Sequence, residues 1–154
     1  MRSPIGIVRI RVVERGRVVW EHEGRNLFVN AGRPALAALL GGDTTGEFAS
    51  AVGFGSGSTA PTVADTALTA AAYYKALDAH SEDGNGGLTL NWSLTTADTG
   101  AQGITIQELA IFANHGSASL PGTTAPTPML ARKTIAPIVF SAGMSISGTW
   151  TLTF

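Results

Sequence analysis

Apolar and polar residues alternate along much of this chain with the two-residue period of a strand that buries one face. The pattern is cleanest at the end. Met144, Ile146, Gly148, Trp150, Leu152 and Phe154 fall on one side, and Ser145, Ser147, Thr149, Thr151 and Thr153 on the other. Leu88, Leu90, Trp92 and Leu94 alternate in the same way with Thr89, Asn91, Ser93 and Thr95. Near the start, Ile5 to Val13 is rich in β-branched residues, with Arg9 and Arg11 set between Ile10 and Val12. Glu14-Arg15-Gly16-Arg17 interrupts that run, and Val18-Val19-Trp20-Glu21-His22 resumes it. This predicts a β-hairpin over 5–23, with Gly16 free to take a positive φ.

Other segments depart from simple alternation. Leu36, Leu39 and Leu40 have helical spacing in an Ala-rich stretch, which predicts a short helix near 31–40. Asn30 would cap its start, Pro34 would lie in its first turn, and Gly41-Gly42 would end it. A short strand is expected to end near Phe54. Tyr73 to His80 reads as one strand leading into the hairpin turn Glu82-Asp83-Gly84-Asn85-Gly86-Gly87, with a helix as the alternative. Ile104 and Ile106 open another strand, and the unbroken apolar run Leu109 to Phe112 asks for a bulge or for cover on both faces. Met129–Ile135 and Ile138–Phe140 read as two short strands on either side of Pro137. The sum is a mainly β chain, an antiparallel, jelly-roll-like β-sandwich of about eight or nine short strands with one short helix. Its 154 residues suit a single domain, 1–154.

Composition narrows the function classes. Cysteine is absent, which excludes disulfides, thiolate metal sites and a cysteine nucleophile. Charged residues make only 14% of the chain, while Gly, Thr and Ser together number 48. A surface so poor in charge suggests one meant to be covered. The N-terminal apolar run is broken by arginines, unlike a signal peptide, and no stretch has the length of a membrane span, so a soluble protein made in the cytoplasm is expected.

Candidate chemistry is sparse. Gly53-Phe54-Gly55-Ser56-Gly57-Ser58 looks like a phosphate-cradling loop, but Thr59-Ala60-Pro61 follows where a helix or a lysine is needed, so it reads as a structural turn. His22, His80 and His115 have no metal-ligand spacing. No serine stands in a nucleophile elbow. Asp65, Asp78, Glu82, Asp83, Asp98 and Glu108 are scattered. Glu108 stands out because it interrupts an apolar strand, and a buried carboxylate needs a partner such as Arg132 or Lys133. Neither catalysis nor a cofactor nor a metal is expected. Trp20, Trp92 and Trp150 could form a sugar platform, although Trp92 and Trp150 fall on the apolar side of their strands.

Charge is unevenly placed. Residues 1–33 carry a net +4 and residues 34–154 a net −5. The basic side chains Arg2, Arg9, Arg11, Arg15, Arg17 and Arg25 make the hairpin a candidate subunit interface, docking on the acidic stretch 43–108 of another copy. Direct contact with nucleic acid or membrane is not expected.

Several segments, in order, resemble a widespread group of small bacteriophage virion proteins described as tail-fibre-like or structural. They are Asn26-Leu27-Phe28-Val29-Asn30-Ala31-Gly32, then Val52 through Pro61, then Asp65-Thr66-Ala67-Leu68. Ile106 through Phe112, Met129-Leu130-Ala131-Arg132 and Gly148 through Phe154 complete the set. The resemblance implies a non-enzymatic structural subunit and carries no catalytic residues. With the compact size and low charge, it leads to the expectation of a capsid decoration (cement) protein on the virion surface, bound to the major capsid protein and to its own copies. A tail or baseplate subunit is the alternative, and a carbohydrate-binding sandwich module a more distant one.

Overall fold

A computed structural model describes residues 4–154; Arg2 lies outside the described residues. Among those, nine antiparallel strands and one short helix form a mainly β molecule. The strands are β1 (Ile5–Glu14), β2 (Arg17–Phe28), β3 (Ala51–Gly55), β4 (Ala71–Ala76), β5 (Ala79–Glu82), β6 (Gly87–Leu94), β7 (Thr105–Phe112), β8 (Met129–Val139) and β9 (Met144–Thr153), and the helix is α1 (Arg33–Leu40). They line up as β4-β3-β7-β8-β2-β1-β9-β6-β5.

β2 explains how one strand order makes two layers. It pairs with β1 from Asn26 back to Arg17, but meets β8 only at Leu27 and Phe28. The sheet curls there, and the layer β2-β1-β9-β6-β5 faces the layer β8-β7-β3-β4. The alternation seen in the sequence now has a destination. Val8, Ile10, Val12, Leu90, Trp92, Leu94, Ile146, Trp150 and Leu152 point inward from the first layer. Val52, Phe54, Leu109, Ile111, Ala131 and Ile135 meet them from the second. Trp92 crosses its neighbour Gly148, where any Cβ would lie 2.2 Å from the indole, so glycine is required at that rung.

The second layer is also covered outside. Ala51, Ala110, Phe112 and Met129 form a smaller core with Val29, Leu68 and Tyr74. Leu109 to Phe112 is therefore continuous in sequence because both of its faces are packed. The expected bulge is present as well: the β7–β8 register jumps from Ile106 opposite Ile138 to Glu108 opposite Thr134.

Four expectations need correction. Tyr73–His80 is neither one strand nor a helix. It splits into β4 and β5, at opposite ends of the strand order, and Leu77 N–H bonding Ser50 O and Asp78 N–H bonding Asn91 O mark the crossing. Pro137 does not divide a strand. It lies in the bulge of a continuous β8, beyond the two rungs shared with β2, where no ladder N–H is demanded. Asn30 does not cap α1. It begins a 3₁₀ turn, Asn30–Gly32, and Gly32 takes the cap position without a side-chain bond, while Pro34 does sit in the first turn. Phe154 leaves the buried face of β9 and is 61% exposed.

The 5–23 hairpin forms as expected, turning through Arg15 (φ 49°) and Gly16 (φ 77°), although β2 continues on to Phe28. The Glu82–Gly87 turn joins β5 to β6, with the Asp83 carboxylate accepting the N–H groups of Asn85 and Gly87.

Candidate functional site

Two polar constellations dominate the molecule, one sealed and one open. The sealed one starts from Glu108 on β7 and Arg132 on β8. Both occupy the outward positions of the second layer, under the segment 55–70, and they are 0% and 1% exposed. Arg132 donates from Nε (3.1 Å) and Nη2 (2.7 Å) to Glu108 Oε2. It also donates to Asp65 Oδ2 (2.7 Å), Thr69 Oγ1 (2.8 Å) and Thr59 O (3.1 Å). Glu108 further accepts the N–H groups of Gly57 (3.1 Å), Thr69 (3.0 Å) and Ala70 (2.7 Å). Each nitrogen of the guanidinium and both oxygens of the Glu108 carboxylate are bonded, as burial of two charges demands.

The glycines of Gly53–Gly57 now have a cause. A Cβ on Gly57 would lie 2.5 Å from Glu108 Oε1, and one on Gly55 would lie 2.7 Å from the same atom and 2.5 Å from Ala70 O. The loop does cradle an oxyanion with backbone N–H groups, and that oxyanion is the chain's own carboxylate. Burial pushes the Glu108 carboxyl up, but the Ala70 and Thr69 amides and the Arg132 guanidinium outweigh it and hold it below its usual value. Asp65 is lowered by the same balance, burial against the Thr62 and Arg132 bonds. Burial pulls Arg132 down, and its bonds to Asp65 and Glu108 more than restore it, so it stands above its usual value. Of the two partners foreseen for Glu108, Arg132 fills the role and Lys133 faces the other way. Asp65 and Thr69 were not foreseen in this role. The only signal for Asp65 was that Arg132 itself interrupts the apolar run Met129–Ala131 and so needs more than one acceptor.

The open constellation lies on the outer face of the first layer. Alternate rungs run Glu23–Arg9–Thr149–Asn91 and Glu21–Arg11–Ser147–Ser93 across β2, β1, β9 and β6. Arg9 Nε donates to Glu23 Oε2 at 2.7 Å and Arg11 Nε to Glu21 Oε1 at 3.0 Å. At the far side Ser93 Oγ donates to Asp78 Oδ2 at 2.7 Å. Together they border a trough of about 640 Å³. Its floor is hydroxyl and amide, its two arginines are matched by Glu23 and Glu21, and Asp78 adds a further carboxylate at the far side. No imidazole stands between Ser93 and Asp78, so that pair is not a charge-relay arrangement.

The remaining sequence candidates are dispersed. Arg15 and Arg17 are exposed at the hairpin tip and Arg25 is exposed near the other end of β2. The hairpin is thus a mixed-charge face with two internal ion pairs, and the free positive charge left for docking is smaller than the sequence count. His22 stacks on Trp20 with ring centroids 5.5 Å apart, His80 is exposed on β5, and His115 pairs with Glu47 in a loop. Asp98 accepts from Tyr73 (3.2 Å), Lys75 (3.2 Å) and the Thr95 N–H (2.8 Å), a second partly sealed node tying β4 to the turn after β6. Trp92 and Trp150 are 1% and 0% exposed, so the three tryptophans form no sugar platform.

Among the described residues, no group of three or more His, Asp or Glu side chains could hold a metal ion, and no helix is long and apolar enough to cross a membrane. Compared with protein-family models, curated proteins and solved structures, the chain matches none.

Proposed function

We propose that the chain is a non-enzymatic structural subunit of a bacteriophage virion, a capsid decoration protein that lays the open face of its first layer against major capsid protein subunits. The observation that carries this reading is the contrast between the two layers. One is sealed outside by pinned loops. The other presents a trough floored by Ser147, Thr149, Asn91 and Ser93, with its arginines already neutralised by Glu21 and Glu23. Hydroxyl and amide groups cost less to desolvate than free Lys or Glu, which suits a face that is to be covered. Binding across neighbouring subunits then stabilises the shell by mass action. The ordered resemblance to small phage virion proteins agrees with a structural rather than a chemical role.

Co-sedimentation with particles of the cognate phage, followed by cryo-electron microscopy, tests the proposal. Density for this fold on the shell, contacting the coat through β1, β9 and β6, is the expected outcome. Density on the tail or baseplate alone would replace it with a tail-subunit reading.

A further inference from the structure

The trough on the open face carries a charge that the chain itself does not answer. Two guanidinium groups, Arg9 and Arg11, line it beside three carboxylates, Glu21, Glu23 and Asp78, which leaves one negative charge in surplus. The other titratable lining group is His22. Burial and the Lys133 charge hold its imidazole below its usual pKa, so it is uncharged at neutral pH. The surplus has a definite place. Glu23 and Glu21 are paired with Arg9 and Arg11. Among the described residues, Asp78 has no cation within ion-pair distance.

Strand register explains why. Arg11 and Ser93 share a rung with Ser147 between them, so their strands lie roughly 10 Å apart. Each arginine turns to the glutamate on its near side, and the small residues Ser147, Gly148 and Thr149 leave the middle strand low. Asp78 stands on the far wall, held against β6. Its N–H bonds Asn91 O at 2.8 Å, and its Oδ2 accepts from Ser93 Oγ at 2.7 Å. The residue is exposed, and its Oδ1 accepts no hydrogen bond within the described chain. Asp98 and Asp65, by contrast, spend their charge on Lys75 and Arg132.

We propose that Asp78 is the recognition point of the trough: an extended segment of the major capsid protein lies along β9, over Ser147 and Thr149, and a lysine on it sets its ammonium on Asp78 Oδ1. This rests on the reading of the open face as the docking face. The surplus charge calls for one cation from the partner. Ser93 already takes one carboxylate oxygen, so a single-point ammonium suits the site better than a two-pronged guanidinium. A helix, about 10–12 Å across with its side chains, is too wide for the low strand between the two walls.

Carbodiimide coupling on particles of the cognate phage tests this, because it joins a carboxylate to an amine that touches it. The whole chain is bound to particles, coupled, digested and read by mass spectrometry. The expected product joins the Asp78 peptide to a lysine of the major capsid protein. Asp78→Asn keeps the size and loses the charge; it should remove that product and weaken co-sedimentation at least tenfold. The coupling of the unaltered chain decides the matter even if that variant does not fold. The chain has two lysines of its own, Lys75 and Lys133. A product joining Asp78 to either one in a neighbouring copy, identified with mixed isotope-labelled copies, would assign the trough to self-association and overturn the coat lysine. Particles might hold the chain through β1, β9 and β6, by cryo-electron microscopy, yet give no Asp78–coat product or bind folded Asp78→Asn as tightly as the unaltered chain. Either result would overturn the lysine contact and leave the docking face standing. A chain that does not bind the particles at all would overturn both.

Discussion

The molecule uses the Arg–Glu pair in two settings. Arg9–Glu23 and Arg11–Glu21 lie across neighbouring strands of the open face, each side chain roughly 60% exposed. Arg132–Glu108 has the same chemistry and a similar shortest contact of 2.7 Å, with both side chains almost wholly buried. Exposed pairs of this kind contribute about 0.2–1 kcal/mol, because water competes for both partners. In the buried pair water cannot compete, so each charge depends on its partner. The lesson is that the contact alone does not set the role. Burial makes one pair a lock for the segment 55–70 and leaves the others as charge matching on a surface.

The strongest way to break this contrast is to remove one half of the lock. Arg132→Met leaves Glu108 buried without its cation, and urea unfolding should register a loss of about 3–5 kcal/mol. A loss comparable with that of an exposed pair would show that Glu108 is not isolated from water. Gly57→Ala attacks the same lock through space. Its Cβ has no room beside Glu108 Oε1, so the loop must shift, at a cost of about 1–3 kcal/mol by the same measurement.

Acid should separate the two settings without mutation. Glu108, Asp65 and Asp98 are held below their usual pKa values in the fold. The unfolded chain therefore takes up protons first as pH falls. Their stabilising contribution is complete above the ordinary carboxylate range of about 4 and drains away as pH drops through the lower native values. Urea midpoints measured from pH 7 downward should fall steeply below about pH 4, and Glu108→Gln should flatten that fall. A midpoint that stays level to pH 3 contradicts the assignment.

The smallest effects belong to the open face. Arg9→Ala and Arg11→Ala should each change stability by about 1 kcal/mol or less. Ser147→Glu with Thr149→Glu should change stability little, yet weaken association with phage particles at least tenfold if that face docks. Retained co-sedimentation by a folded double variant would separate the docking proposal from the trough.

Local pattern carried most of the fold. The hairpin, β6, β9 and the Glu82–Gly87 turn follow from alternation and turn residues, which need no knowledge of distant contacts. Glu108 was legible for a related reason: a carboxylate inside an apolar run must be answered, and Arg132 interrupts another apolar run. The rest depended on partners far along the chain. The glycine spacing at 53–57 has the look of an anion loop, but the anion sits 51 residues away from Gly57. Residues 71–82 alternate in the same way in either layer, so only the bonds to Ser50 and Asn91 decide where they cross over. The arginines of the hairpin were visible as a charge cluster, but their neutralisation depended on the strand register that faces Arg9 with Glu23.

The loop around Gly57 differs in one respect from a loop that binds a dissolved anion. Such a loop is ordered only to the extent that its ligand is abundant, and dilution or competing salt can empty it. Here the ligand is tethered to the same backbone, so its local concentration is fixed and cannot be washed away. The loop therefore keeps its shape across changes of medium at neutral pH, with no dissolved partner to be supplied or lost.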